Sequence, residues 1–406
     1  MKFIQKLSLT VTCTVMIMST VNSSMAMASD LLKDTKLRVA TFNVSMEALN
    51  YIPRTPNSPP KVSGTELTQA LIANTQQIKN IAEIIQRIRP DIILLNEFDR
   101  VSNNHQNINS FISQYLNKEQ NSQRIIDYPY LYQGSVNTGV KVNGDLNKDG
   151  KVSQQPGDTH GFGYFEGHFG MVLLSKYPIN KEAIRSFQHF KWHDMPNALK
   201  PVDPKTKQPW FSDKVWKELR LSSKSHWDIP VNVNGKEIHI LASHPTPPVF
   251  DGPENRNGKR NHDEIRFWSD YISNDSASYI YDDQGTKGGL APNQPFIVIG
   301  DQNASSVEGD AINSAITALI THDKIQDPMP TSIGGELHRN ENKNAKYHTA
   351  YWGMRADYVL PSVNSFTIKN SGVFWPQKND ETYRLIKDRQ ASSDHRLVWV
   401  DLELTK

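Results

Sequence analysis

An α/β sandwich, with helices outside two packed sheets, is the fold class this sequence predicts. Short runs rich in Val, Ile and Leu recur from one end to the other, and turn residues bound most of them. Far fewer helical patterns lie between those runs. No linker-like stretch divides the chain, so its 406 residues read as one domain with a substantial core, spanning about 36–404.

Strands are expected at 37–44, 91–98, 169–179, 226–233, 237–244, 295–303, 356–362 and 395–404. Between the first two, "TQALIANTQQIKNIAEIIQRIRP" sets Leu71, Ile78, Ile81, Ile84 and Ile85 on one helical face, and Pro90 ends it. A second helix is expected from "NHDEIRFWSDYI", capped by Asn261 or Asp263, and a third over 309–321. Polar stretches at about 99–166, 187–222, 245–262, 273–294 and 329–350 are long for a compact domain and read as insertions or functional loops.

Residues 1–28 stand apart. Lys2 and Lys6 precede the apolar run "LSLTVTCTVMIMSTV", and Ala26 and Ala28 form an A-x-A site. This is the pattern of an export leader cleaved after Ala28, giving a periplasmic or secreted protein without a stable membrane anchor. Cys13, the one cysteine, lies in the leader, so the mature chain has no disulfide, thiolate metal site or cysteine nucleophile. The 45 basic residues face 43 acidic ones, and loss of Lys2 and Lys6 balances them. That balance leans against a dedicated nucleic-acid binder. No feature of the sequence calls for an obligate protein partner.

The chemistry concentrates at strand ends. Asn43 ends the first strand, Glu97 the second, His244 the fifth, and Asp301 with Asn303 the sixth. Asp357 lies in "ADYVL", and Asp394 with His395 opens the last strand. Such groups beside apolar runs are costly unless paired, hydrogen-bonded or metal-bound. In-line attack on a phosphate ester needs an oriented water, neutralised oxygens and help for the leaving group, which this set can supply.

In order along the chain, "TFNV", "LLNEFD", "GMVLLSKYPI", "SHPTPP", "GDQNA", "ADYVLPS" and "SSDHRLVWVDL" resemble the endonuclease/exonuclease/phosphatase superfamily, the deoxyribonuclease-I-like metal-dependent phosphoesterases. The resemblance implies a four-layer α/β sandwich with its site at one edge of two mostly antiparallel sheets. It implies that Glu97, Asn43 and Asp394 serve a divalent ion, Mg²⁺ or Mn²⁺. It also implies that His395 pairs with Asp357, that Asp301 aligns water or handles the leaving oxygen, and that Asn303 and His244 face phosphate.

Weaker candidates remain open between function and packing. In "SKSHWDIP", Lys224 and His226 either touch phosphate or belong to a strand's polar edge. Arg260, in the basic stretch from Arg256 to Arg266, either reads a distal part of the substrate or belongs to a solvated helix start. Trp192, Trp210, Trp216 and Trp227 default to core or anchoring roles, and His168 to packing against a strand end. In "GDLNKDGKVSQQPGD", Asp145, Asn147 and Asp149 have the spacing of a structural Ca²⁺ loop, but Pro156 stands where the closing carboxylate belongs. Either Asp158 closes that cage or the segment is a polar turn.

The expected activity is hydrolysis of a phosphodiester or phosphomonoester. The substrate is a nucleotide, nucleic acid, sugar phosphate or phospholipid headgroup, so nuclease and sphingomyelinase-like readings stay open. A non-catalytic binding module on the same fold is a minor alternative.

Overall fold

The computed structural model describes residues 36–53, 60–101, 105–153 and 156–405. The leader at 1–28 lies outside them. Eleven strands among the described residues form two sheets: β1 (Lys36–Met46), β2 (Ile92–Phe98), β3 (Tyr130–Tyr132), β4 (Met171–Ser175), β5 (Arg185–Ser186), β6 (His226–Val233), β7 (Lys236–Ser243), β8 (Phe296–Asp301), β9 (Asp357–Pro361), β10 (Phe366–Val373) and β11 (Val398–Leu404). The six-stranded sheet runs β10-β11-β1-β2-β4-β3 and the five-stranded sheet β5-β6-β7-β8-β9. Among the described strands, only the β1–β2 and β7–β8 pairs are parallel.

Side-chain alternation builds the layers. Ile297, Ile299 and Val359 join the core between the sheets, whereas Val298, Leu360 and Leu241 join a second core on the outer face, under Phe267 and Trp268. The helix Gln76–Ile88 buries Ile78, Ile81, Ile84 and Ile85 against the other sheet. Helix, sheet, sheet and helix form the expected four-layer sandwich.

Three strands were not visible in the sequence. β3 and β5 are short, and β10 is an edge strand whose middle is polar and exposed. The expected long helix is two, Glu66–Ile72 and Gln76–Ile88, broken where Asn74 turns left-handed at φ 55°. The helix expected from 261 begins at Arg256 and runs to Ser273. Asn261 and Asp263 therefore lie inside it as buried polar staples, not as caps. Asn261 donates to the carbonyls of Thr246 and Gln302, and Asp263 accepts from Trp192 Nε1 and Leu199 N.

Candidate active site

Strand pairing explains why residues so far apart in sequence meet. Asn43 pairs with Asn96 across β1–β2, and Asp301 pairs with Asp357 across β8–β9. Gly300 lets β8 approach β7, because a Cβ there would collide with the Ser243 carbonyl. Ser45, Glu97 and Asn303 all adopt left-handed backbone, at φ 45°, 55° and 51°. Non-glycine residues seldom do so, and such strain gathers where side chains must be aimed.

One oxygen organises the centre. Asp301 Oδ2 accepts from Asn43 Nδ2 at 3.1 Å, and it lies 3.4 Å from His244 Nε2 and 3.5 Å from His395 Nε2. Asp301 Oδ1 accepts from Asn303 N at 2.9 Å. Behind His395, Nδ1 donates to Asp357 Oδ2 at 2.9 Å, and Thr349 Oγ1 donates to that same oxygen at 2.6 Å.

Burial opposes a charge on His395, but Asp357 and Asp301 outweigh it and hold the imidazolium up to about 10. Burial pushes the Asp301 carboxyl up to about 7, against the pull of His395. Atoms of Asp301, Asp357 and His395 lie close enough together to hold an ion. The two carboxylates favour the charged form of the His395 ring, which lies between them. His244 is held neutral by burial and by the charges of Lys224 and His395. Its Nδ1 has no hydrogen-bond partner among the described residues.

Beside this cluster lies a carboxylate group suited to a cation. Burial raises the Glu97 carboxyl, and repulsion from Glu47 and Asp394 adds to it, while His395 and Asn43 oppose. Ser45 Oγ donates to Asp394, and Arg389 lies 3.3 Å from Asp394 and 3.6 Å from Glu47. Carboxylates crowded in this way match the oxygen-rich, sparse donor set that Mg²⁺ or Mn²⁺ takes. Glu97, Asp394 and the Asn43 carboxamide would hold it.

Lys224 falls within this constellation. Burial lowers its ammonium, while Glu97, Glu264 and Asp301 pull it back up. The other two weaker candidates do not join the site. His226 is fully buried, with Nδ1 on Ser222 Oγ at 2.6 Å and Nε2 on the Glu264 carbonyl at 2.8 Å, so no ring nitrogen remains for phosphate. Arg260 is buried and spends its guanidinium on the carbonyls of Leu221, His160 and Arg220. Both are structural.

The Asp145 loop has the hydrogen bonds of a polar turn. Asp145 accepts from Asp149 N and Gly150 N, and Asn147 accepts from Asp149 N. Asp149 in turn accepts from Lys151 N. Asp158 does not close a cage. It is buried, with its oxygens taken by Leu146 N and by Ser153.

The sequence reading missed several neighbours. Glu47 is buried and receives His168 Nε2 at 3.2 Å; burial holds that imidazole down to about 3, so the ring donates to the carboxylate as a neutral group. Glu47 lies just past the end of β1, where it caps the short helical turn Ala48–Asn50, so no strand pattern pointed to it. Trp352, 43 % exposed, sets its ring edge-on to His395 with centroids 4.9 Å apart. Glu264 accepts from Ser223 N and Thr246 N, each at 2.6 Å, and so fixes both loops that frame Lys224 and His244.

Several solved structures resemble the chain along most of its length. An endonuclease/exonuclease/phosphatase from Beutenbergia cavernae is 17% identical with a TM-score of 0.49, over 91% of this chain and 72% of that one. A family protein from Leptotrichia buccalis is 14% identical with a TM-score of 0.44, over 90% and 99%. The human Nocturnin catalytic domain with bound sulfate is 11% identical with a TM-score of 0.44, over 91% and 95%. None of the curated proteins matches the sequence significantly. The model of the Endonuclease/Exonuclease/phosphatase family matches residues 40–395, and the chain belongs to that family of phosphoric ester hydrolases.

Proposed function

We propose that this protein is an exported, divalent-metal-dependent hydrolase of a phosphodiester or phosphomonoester. The observation that carries the reading is the convergence of Asn43, His244 and His395 on one oxygen of Asp301, directly beside Glu97. The charged and apolar start with Ala26 and Ala28 supports export to the periplasm or beyond.

In this reading Asp301, with a carboxyl near 7, orients water and takes its proton as oxygen attacks phosphorus. The P–O bond to the leaving group breaks on the opposite side, and the leaving oxygen takes a proton from solvent water. His395, fixed by Asp357, keeps an imidazolium toward the phosphate oxygens. Asn303 and Lys224 add donors. Glu97, Asn43 and Asp394 would hold a divalent ion, which when bound would supply further positive charge to the phosphate.

The test is turnover of bis-p-nitrophenyl phosphate, p-nitrophenyl phosphate, DNA and sphingomyelin by the mature protein with Mg²⁺, Mn²⁺ or Ca²⁺. Preference among these esters separates phosphatase, nuclease and phospholipase. Glu97→Gln and His395→Ala are expected to abolish it with the fold intact. Unchanged turnover in either variant refutes the site, and no turnover of any ester favours a binding module.

A further inference from the structure

Asp357 and His395 reach the centre from different parts of the chain, one opening β9 and the other lying just ahead of β11. The turn from Thr349 to Met354 joins them. Thr349 N donates to the Met354 carbonyl at 3.0 Å, and the Thr349 carbonyl accepts from Arg396 N at 2.7 Å. Tyr351 N donates to the Asp394 carbonyl at 2.8 Å, and Ala350 bridges to His395. The backbone of this turn is thereby bonded to the residues on both sides of His395.

The Thr349 side chain, fully buried, reaches the other partner. Its Oγ1 accepts from Ala356 N at 2.9 Å and from Asp357 N at 3.1 Å, and it donates to Asp357 Oδ2 at 2.6 Å. A hydroxyl has one proton and two lone pairs. With both lone pairs taken by backbone N–H groups, the proton goes to the carboxylate, and the backbone of Ala356 and Asp357 fixes the direction of that bond.

Asp357 Oδ2 thus carries two donors, Thr349 Oγ1 and His395 Nδ1 at 2.9 Å, whereas Oδ1 is buried with no hydrogen-bond partner among the described residues. A carboxylate turns readily about its last side-chain bond, so by itself it could offer either oxygen to an imidazole. The Thr349 proton engages one lone pair of Oδ2 and leaves the other for His395. The carboxylate is held in one orientation, and through it the ring, whose opposite nitrogen then faces Asp301 Oδ2.

We propose that Thr349 is a positioning residue for the reaction: its hydroxyl selects the Asp357 oxygen that meets His395 and so aims the imidazole at the phosphate. The inference rests on the phosphoesterase reading, and a spectroscopic arm keeps the two separable.

The kinetic arm compares Thr349→Val, which keeps the shape and removes the hydroxyl, with Thr349→Ser, which keeps the hydroxyl and removes a methyl. On the ester that the wild type turns over fastest, at one fixed pH, Thr349→Val is expected to lower kcat at least about tenfold, as loss of a hydrogen bond to a charged group implies. KM should stay within about twofold, because the bond serves the transition state and not substrate uptake. Thr349→Ser should stay within about threefold of the wild type in both constants. The spectroscopic arm needs no turnover. In proton NMR the His395 Nδ1–H, held against Asp357, should give a far-downfield resonance, assigned by its loss in His395→Gln. That resonance should persist in Thr349→Ser and move upfield or vanish in Thr349→Val. Circular dichroism checks the fold; if Thr349→Val does not fold, Thr349→Cys, with only a weak S–H donor, takes its place under the same expectations. No downfield resonance in the wild type, an unmoved resonance or wild-type kcat in Thr349→Val, a loss in Thr349→Ser equal to that in Thr349→Val, or a loss carried by KM alone overturns the role. If no ester turns over but the resonance follows the hydroxyl, the hydrolase reading fails and the positioning by Thr349 stands.

Discussion

His395 Nδ1 donates to Asp357 Oδ2 at 2.9 Å, and the opposite nitrogen of the same ring faces Asp301 Oδ2 at 3.5 Å. The imidazolium is thus clamped between two carboxylates, one fixed by Thr349 and the other open to Asn43 and His244. Asp357→Asn removes the charge that favours the protonated ring while keeping the shape. We expect kcat to fall by roughly 10²–10⁴, the range for loss of a positioned acid or base. Steady-state kinetics check this, and a circular dichroism melt confirms the fold.

The pH dependence follows from the same pair. Turnover needs the Asp301 carboxylate, which forms as pH rises through about 7, and the His395 proton, which is lost as pH rises through about 10. The expected kcat/KM profile is a bell with those limbs. Stability carries its own sign. The folded pKa of His395 is above its ordinary 6.5, so its contribution is fully present below 6.5 and is lost as pH rises toward about 10. The stability advantage of the wild type over His395→Gln should therefore shrink across that window in urea titrations. An advantage that grew with pH would contradict the assignment.

Crowding of Glu47, Glu97 and Asp394 predicts a response to cations. Saturating Mg²⁺ or Mn²⁺ should raise the melting temperature, because an ion that binds only the folded state stabilises it. Glu97→Gln removes a central charge and should weaken calorimetric Mg²⁺ binding at least about tenfold, since even residues outside the ligand set commonly cost that much. EDTA should abolish turnover, and added Mg²⁺ should restore it.

The strands that frame the site were legible because strongly apolar runs end in polar residues, as at Asn43, Glu97 and Asp301. Such contrasts are local, so a sequence displays them. Glu47 was not seen because the register of β1 turns irregular after Asn43 and the strand ends at Met46, leaving Glu47 on the turn that follows. His226 and Arg260 looked available for the opposite reason. Their neighbours are polar, but tertiary partners distant in sequence, Glu264 for one and His160 for the other, decide where each side chain spends its donors. Arg389, which reaches Asp394 and Glu47 from an irregular segment, has no periodic pattern to betray it.

His226 supplies a contrast between packing and chemistry. Its ring lies between Phe267 and Trp268, with centroids 4.7 Å and 4.9 Å away, and both nitrogens are hydrogen-bonded. His226→Ala should cost on the order of 3 kcal/mol in urea unfolding, from the cavity and the orphaned Ser222 hydroxyl. At a temperature where the variant stays folded, KM and kcat should remain within about twofold, small beside the tenfold steps of a lost contact at the reacting centre.

Lys224 should behave in the reverse way. Its ammonium is buried among Glu97, Glu264 and Asp301, and burial alone lowers its hold on the proton. Lys224→Met keeps most of the stem and removes the charge. If the ammonium meets a phosphate oxygen, kcat/KM should fall by roughly 10²-fold, as when one donor aimed at developing charge is lost. Lys224→Arg should not rescue it, because a planar fork cannot replace a compact ammonium in a closed space. The loss should persist at saturating Mg²⁺, which separates a direct role for Lys224 from one exerted through the Glu97 carboxylate. Full recovery at high Mg²⁺ would show that Lys224 only balances the charge of Glu97.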